Sequence, residues 1–364
     1  MSARLKMAIV GCGSVSGNRY FPNLRSLTRA ELVAVCDSVI ERAKPRAEEF
    51  GVPCYLDYDE MLAKADFDLI VNLTSNPAHY PLNLKALQAG KHVYTQKPMT
   101  LTTEEATRLI EEAKKRGLTI VSECAAPLFP YNQAIKRVLD HGLVGKILWV
   151  RSRCTHVGSA DQDIWPTDPT WKYKYGSGPL REVGIERLHL LTFLLGSCKR
   201  VTAMSGINQH EVVVRGGPMK SVRIKVEEDD VTLLTMDFGD GIFAMLDNAW
   251  IKVRGIKTPD LEIYAEKGVI ASVGGGPKGS NADVELYRDY PEEGVRGWQQ
   301  LDFANQPGPV YPLQVLGVAH AIECILDGRP NALTPERARH CVEIIEKAFI
   351  AARTGITQHI ETTC

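Results

Sequence analysis

The chain has 364 residues, of which 44% are hydrophobic, and its formal net charge is −1. That length suits two domains rather than one core, and that composition excludes a disordered chain. The near-neutral balance excludes the basic surface that nucleic acid or an anionic membrane needs, and no apolar run approaches the about 18–20 residues of a membrane span.

Met1 to Lys6 runs straight into the first strand and shows no signal-peptide pattern. The nine cysteines, odd in number and without a CxxC pair, suit reduced thiols in a cytoplasm and define no zinc site.

The first third alternates strands and helices. Ala8–Val10 is a strand, and a helix follows to about Leu27, kinked at Pro22 because a proline ring does not fit a regular helix interior. Leu32–Cys36 is the second strand, Val39–Phe50 a charged helix stopped by Gly51, and Tyr58–Lys64 a short helix. Leu69–Leu73 is the third strand, Ala78–Ala89 a helix closed by Gly90, and His92–Thr95 the fourth strand. Thr103–Arg116 is a helix closed by Gly117, and Leu118–Val121 the fifth strand. Such alternation predicts a parallel sheet covered on both faces, with ligands beyond the carboxyl ends of its strands. The segments at those ends are Gly11–Ser16, Asp37, Thr74-Ser75-Asn76, Gln96-Lys97-Pro98 and Ser122-Glu123.

From about Cys124 the pattern changes. After a helix at Tyr131–His141 come strand-like runs at Ile147–Thr155, Arg200–Ile207, Asp230–Phe238, Ile242–Ile251, Leu261–Ala265, Val284–Tyr287 and Trp298–Leu301. Helices return at Gly184–Leu195, Leu313–Leu326 and Pro335–Ala352, and His359–Ile360 is a last short strand. The whole reads as α/β: residues 1–124 form a nucleotide-binding domain, and residues 125–364 an α+β domain with a large, mostly antiparallel open sheet. An open sheet with apolar residues on its second face predicts a homo-oligomer through that sheet.

The chemistry starts at the first turn. In Met7-Ala8-Ile9-Val10-Gly11-Cys12-Gly13-Ser14-Val15-Ser16-Gly17, Gly11 turns the chain off the strand and Gly13 lets the backbone approach a ligand. The helix N-terminus that follows suits a pyrophosphate. Asp37 lies about 20 residues on, where a carboxylate accepts the adenosine ribose hydroxyls of NAD and repels the phosphate of NADP. Ser16 stands where the third glycine of that fingerprint is expected, with Gly17 one place late.

Ala89-Gly90-Lys91-His92-Val93-Tyr94-Thr95-Gln96-Lys97-Pro98, taken with the glycine turn, resembles the glucose–fructose oxidoreductase / inositol dehydrogenase / MocA (Gfo/Idh/MocA) family. The resemblance extends to Thr74-Ser75-Asn76 with His79, to Gly176-Ser177-Gly178-Pro179-Leu180 and to Ala351-Ala352-Arg353-Thr354-Gly355. It implies an N-terminal Rossmann domain that binds NAD through Gly11, Gly13, Ser14, Val15, Ser16, Asp37, Thr74, Ser75, Asn76, His79, Gln96 and Lys97. It also implies that Lys97 touches both substrate hydroxyl and cofactor, and that the Lys97–Pro98 bond is cis. The glutamate of the family's Glu-Lys-Pro motif is replaced by Gln96. Oxidising a secondary alcohol removes a hydride from carbon and a proton from oxygen, so the oxygen needs a base or a positive charge. A lysine, with an ordinary pKa near 10.4, becomes useful there when burial and a cationic nicotinamide lower it.

The family's Asp-x-Gly-x-His-x-x-Asp pattern falls on Glu182-Val183-Gly184-Ile185-Glu186-Arg187-Leu188-His189, so Glu182 matches the first aspartate, Glu186 the histidine and His189 the second aspartate. Spacings of four and three put the three on one helix face. Lys97 with Glu182 then handles the proton, while Glu186 and His189 orient the substrate or share the base role. The bland alternative makes Glu186 and Arg187 solvated and His189 a core residue; a metal on Glu182, Glu186 and His189 fits the spacing but is not needed for hydride transfer. Trp165, Trp171, Tyr173 and Tyr175, with Lys172, His156 and Asp163, form an aromatic segment suited to the apolar faces of a sugar, although a packed loop under the helix accounts for any single ring at least as well. Glu123 completes the expected substrate-binding set of His156, Trp165, Trp171, Lys172 and Tyr173, and His320 reads equally as core.

These residues predict an NAD-dependent oxidoreductase acting on a secondary ring hydroxyl of a sugar, polyol or glycoside, C3 of a glycoside being one candidate by analogy. Two other readings stay open: a glycosidase that retains NAD and oxidises its sugar transiently, and a non-catalytic NAD-binding sensor. NADH accumulation, aglycone release at catalytic NAD, or no turnover on any sugar separates the three.

Overall fold

The structure is a computed structural model that describes residues 4–163, 165–252, 259–273, 283–290, 292, 294–301 and 311–364. The chain divides into two compact units: Met1–Ala125 with Pro309–Val342, and Ala126–Gly308 with Glu343–Cys364. The first unit is therefore not contiguous, as a single cut at 124 would have it. The returning segment is held to the sheet by main-chain groups. Ser122 N donates to Leu333 O at 3.2 Å, and Asn331 Nδ2 to Ile120 O at 2.9 Å.

The first unit is built on six parallel strands: β1 (Leu5–Val10), β2 (Ala30–Cys36), β3 (Cys54–Tyr55), β4 (Leu69–Asn72), β5 (His92–Thr95) and β6 (Ile120–Ser122). Their order is β3-β2-β1-β4-β5-β6, so the strand order reverses between β1 and β4, where open parallel sheets bind their ligands. Ala8, Ile9, Ile70 and Val71 are fully buried, as a sheet covered on both faces requires. Helices α1 (Ile40–Phe50), α2 (Tyr58–Lys64), α3 (Asn76–Gln88) and α4 (Thr103–Arg116) alternate with the strands. A capping box of Thr102 and Glu105 opens α4, and Gly117 closes it in the left-handed region at φ 66°.

The helix after the glycine turn is irregular. It runs as a π-helical turn, Ser16–Tyr20, and then as a 3-10 helix, Phe21–Ser26, with the change falling between Tyr20 and Phe21, one residue before the Pro22 where a kink is expected. The strand β3 was not legible in sequence because two residues carry no period.

The second unit contains α5 (Pro130–Asp140), β7 (Ile147–Val157), α6 (Ile185–Leu195), β8 (Arg200–Gly206), β9 (Glu211–Val213), β10 (Arg223–Lys225), β11 (Val231–Asp237), β12 (Phe243–Ile251), β13 (Leu261–Ala265), β14 (Gly268–Val273), β15 (Asp283–Tyr290) and β16 (Val295–Gln300). Helix α7 (Leu316–Asp327) belongs to the first unit, the unit boundary falls inside α8 (Pro335–Thr354), and β17 (Gln358–His359) ends the second. Nine strands form one sheet in the order β16-β15-β14-β13-β7-β12-β11-β8-β17. Only β7 and β12 pair in parallel; the other neighbours are antiparallel. The short ribbon β9–β10 and the strand β14 were not anticipated.

One face of the large sheet is core, with Val150, Leu246, Ile263 and Ile270 fully buried. Across the other face, Phe243, Trp149, Tyr264, Val269, Tyr287 and Trp298 stand directly opposite one another on six successive strands. Trp149 and Tyr264 stack at 4.9 Å between ring centroids. Phe243, Trp149 and Trp298 are 48%, 39% and 54% exposed, so this row is an apolar band open on one side.

Candidate functional site

The glycine turn leaves β1 with Gly11 at φ 92°, where an added Cβ would also lie 2.7 Å from the carbonyl carbon of Leu73. Only glycine meets both conditions. Gly13 is the opposite case: nothing lies within 4 Å of an added Cβ, so the backbone there offers an open cradle. Ser16 is fully buried and its Oγ donates to the Gly13 carbonyl at 2.9 Å, so the serine in the place of the third glycine closes the turn. Ser14 and Val15 begin the helical turn that follows.

Asp37, at the end of β2, is buried and rigid. One carboxylate oxygen accepts from Cys12 N at 2.8 Å and the other from Val39 N at 2.9 Å. Each oxygen retains a lone pair for a ribose hydroxyl. Burial and the Asp37 charge push the Cys12 thiol up to about 12, so it stays protonated beside the cradle. Asp37→Ala is expected to weaken NAD binding about tenfold, the scale of a lost charged hydrogen bond, and to narrow the gap to NADP. Parallel titrations with both nucleotides measure it.

At the next strand ends, Asn72, Asn83 and Thr95 form a fully buried polar chain. Asn72 donates to Asn83 Oδ1 at 2.8 Å and Asn83 to Thr95 Oγ1 at 2.9 Å, while Thr74 Oγ1 donates to Asn72 Oδ1 at 2.6 Å. This chain fixes the loop Thr74-Ser75-Asn76, of which Ser75 is exposed and Asn76 buried. The His79 ring is fully buried, with Nδ1 2.7 Å from Pro98 O and Nε2 3.0 Å from Thr74 O, so it braces two strand-end loops from inside. The Lys97–Pro98 bond is cis, as the resemblance implies. Gln96 and Lys97 are half-buried. The Gln96 side chain donates to Tyr20, whose hydroxyl meets that of Tyr94, which donates to Glu123.

The second unit gathers a different set. Glu182 lies in a π-helical turn, Leu180–Gly184, that runs into α6, which carries Glu186 and His189. Glu182 and His189 are buried and Glu186 is half-buried. Lys172 forms an ion pair with Glu182, at 11% and 9% side-chain exposure, and Ser177 Oγ donates to the other carboxylate oxygen at 3.3 Å. The Lys172 ammonium also lies 4.6 Å from the centroid of the Trp171 ring and 5.6 Å from that of Trp165. The pairing of Lys172 with Glu182 was missed in the sequence; nothing in a ten-residue spacing across a loop signals it. The π turn itself is braced by the buried pair Arg181–Glu228 at 2.9 Å, and Gly176 N donates to the same carboxylate at 3.0 Å.

Three further residues have defined surroundings, two of them with readings left open by the sequence. Tyr173, expected in the substrate-binding set, is 1% exposed, accepts from Ala160 N at 2.8 Å and packs edge-on against Trp250 in the core. Arg187 is not solvated but pairs with Asp260. His320 accepts the Ala332 N–H at 2.9 Å inside the first unit and is structural. His156 is exposed at the end of β7, with Nδ1 2.6 Å from Val157 O. Among the described residues no three His, Cys, Asp or Glu side chains are grouped to hold a metal ion.

A 3-2-1-4-5-6 parallel sheet with a glycine cradle at its switch point and a buried acid after the neighbouring β2 defines a dinucleotide-binding domain. Comparison with known proteins agrees. Residues 5–123 match the family model described as "Oxidoreductase family, NAD-binding Rossmann fold", and residues 132–271 match the "GFO/IDH/MocA C-terminal domain". The chain belongs to the Gfo/Idh/MocA family of oxidoreductases, and its first unit is an NAD-binding Rossmann domain. It is 24% identical over 364 residues to the D-apiose dehydrogenase of Paraburkholderia graminis, covering 99% of this chain and 90% of that protein. It is 29% identical over 211 residues to the D-glucoside 3-dehydrogenase of Escherichia coli, covering 57% of this chain and only 58% of that relative. The fold is that of an NAD-binding oxidoreductase from Klebsiella pneumoniae, with TM-score 0.83, 20% identity and coverage of 99% and 100% of the two chains.

Proposed function

We propose that the protein is an NAD-dependent dehydrogenase of a secondary ring hydroxyl on a sugar, polyol or glycoside. The observation that carries the reading is Lys97 at a carboxyl end of the sheet that carries the nucleotide cradle, in a chain whose other unit holds a buried carboxylate–ammonium pair beside two tryptophans. Gly13 and Asp37 fit NAD: the first leaves the space a pyrophosphate needs, the second a fixed carboxylate for the ribose. NAD, when bound, supplies the hydride acceptor.

Lys97 then holds the reacting hydroxyl by its oxygen and accepts or shares its proton, and Glu182 is the second group we assign to proton handling. Lys172 holds Glu182 in place, while Trp171 and Trp165 offer flat faces to the ring. Glu186 and His189 orient further hydroxyls. The likeness to the D-glucoside 3-dehydrogenase of Escherichia coli favours C3 of a glycoside among the positions to be tried. The test is an absorbance screen at the NADH band with NAD and a panel of sugars, inositols and glycosides. NADH formation on one of them supports the reading; aglycone release without NADH overturns it for the retaining glycosidase, and no turnover on any overturns it for the sensor.

We further infer a cytoplasmic homo-oligomer. No described helix is long and apolar enough to cross a membrane, and none of the nine cysteines is in a disulfide. The row from Phe243 to Trp298 has the shape of a surface that pairs with its own copy. Sedimentation is expected to give a multiple of 40.3 kDa, and Trp149→Glu to shift it toward the monomer; a monomeric unaltered chain contradicts the inference.

A further inference from the structure

We propose that Tyr20, Tyr94 and Glu123 are positioning residues for the strand end that carries Lys97, acting through a hydrogen-bond chain of one fixed polarity that begins at the Gln96 amide. The proposal rests on the reading above only for the role of Lys97.

The polarity follows from counting hydrogens. Gln96 Nε2 meets Tyr20 Oη, Tyr20 Oη lies 3.0 Å from Tyr94 Oη, and Tyr94 Oη meets Glu123 Oε2. A carboxylate only accepts, so the one hydroxyl hydrogen of Tyr94 is committed to Glu123. The Tyr94 oxygen must then accept from Tyr20, and the Tyr20 oxygen must accept from residue 96. Only the NH₂ of Gln96 can donate there, so the orientation of that amide is set by the chain. Tyr20 and Tyr94 are 2% and 0% exposed. Burial first, and the Glu123 charge second, push both phenols well above their ordinary range, so both remain donors.

Gly317, on α7, packs against the acceptor end: an added Cβ would lie 2.5 Å from Glu123 Oε2 and 2.9 Å from Tyr94 Oη. The two ends are also tied by main chain, Glu123 N to Thr95 O at 2.8 Å and Gln96 N to Asn72 O at 3.0 Å. Gln96 is therefore held by backbone and side chain, and Lys97 follows it directly. A glutamate at 96 would put an acceptor at each end, leaving two hydroxyl hydrogens for three contacts. The chain thus demands an amide at 96 for as long as 123 is a carboxylate.

The test is a double-variant cycle on the full chain: Gln96→Glu, Glu123→Gln and both together, with kcat, the KM for NAD and the thermal midpoint measured for each. Gln96→Glu is expected to lower kcat by about tenfold or more, on the scale of one charged hydrogen bond misplaced, with the KM for NAD within about threefold of the unaltered chain. The double variant restores one polarity, now reversed, and is expected to recover kcat to within about threefold. Losses in the double variant equal to the product of the two single losses overturn the proposal. Should Gln96→Glu not fold, Tyr94→Phe removes one hydroxyl and adds no charge; a kcat within about twofold of the unaltered chain overturns the proposal equally. An unaltered chain without turnover overturns the dehydrogenase reading instead. The cycle in thermal midpoint then decides the coupling, additive shifts overturning it and a recovered midpoint in the double variant supporting it.

Discussion

Lys97→Ala is expected to lower kcat about 10²- to 10⁴-fold, the range that a positioned proton-transfer group contributes, while NAD binding stays within about threefold. The separation follows from where the residues stand. The cradle at Gly11–Ser16 and the carboxylate of Asp37 lie on β1 and β2, and Lys97 follows β5, so truncating the lysine leaves the nucleotide's anchoring groups untouched. Nucleotide titration by intrinsic fluorescence, run beside turnover at the NADH band, measures both quantities. Turnover retained within about tenfold would remove Lys97 from the chemistry.

Glu182→Gln should have the second largest effect, and in two currencies. The ammonium of Lys172 would be left at 11% side-chain exposure without its carboxylate. Breaking one member of a buried pair costs about 3–5 kcal/mol, so the thermal midpoint falls by several degrees or more. Turnover falls as well, by about a hundredfold, if the carboxylate carries the proton. Lys172→Met added to Glu182→Gln separates the two effects. Removing both charges is expected to return most of the stability and none of the turnover. Recovery of turnover in the double variant would mean that Glu182 serves only as the counter-charge of Lys172.

The elements read in the sequence and found in the structure share one property: their signals are local. Tyr58–Lys64, His92–Thr95 and Thr103–Arg116 fall on the expected residues because a run of one period is bounded by a cap or a glycine, and those boundaries act within one turn of chain. The strands β3, β9 and β10 have two or three residues each, too few to show a period, and are created by the neighbour they pair with.

The site divides in the same way. The glycine turn and Asp37 were legible from local conformation and spacing, and the cis Lys97–Pro98 bond from the family resemblance. Tyr173 was read as a sugar-facing ring from its neighbours Trp165 and Trp171, but a tyrosine in an aromatic segment carries no mark of which way it turns. The Ala160 N–H and the face of Trp250 turn it inward.

What the amino-acid sequence determined by itself is the alternation of strand and helix, the cradle that only glycine permits, and the acid placed after β2, all consequences of conformation and spacing within a few residues. What tertiary structure decided is which distant groups meet. Pro309–Val342 returns to the first unit, Lys172 closes on Glu182, and Tyr20 is brought between Gln96 and Tyr94. The reason is physical: a buried polar group must find a partner wherever the packed chain brings one, and that partner leaves no trace in the residues beside it.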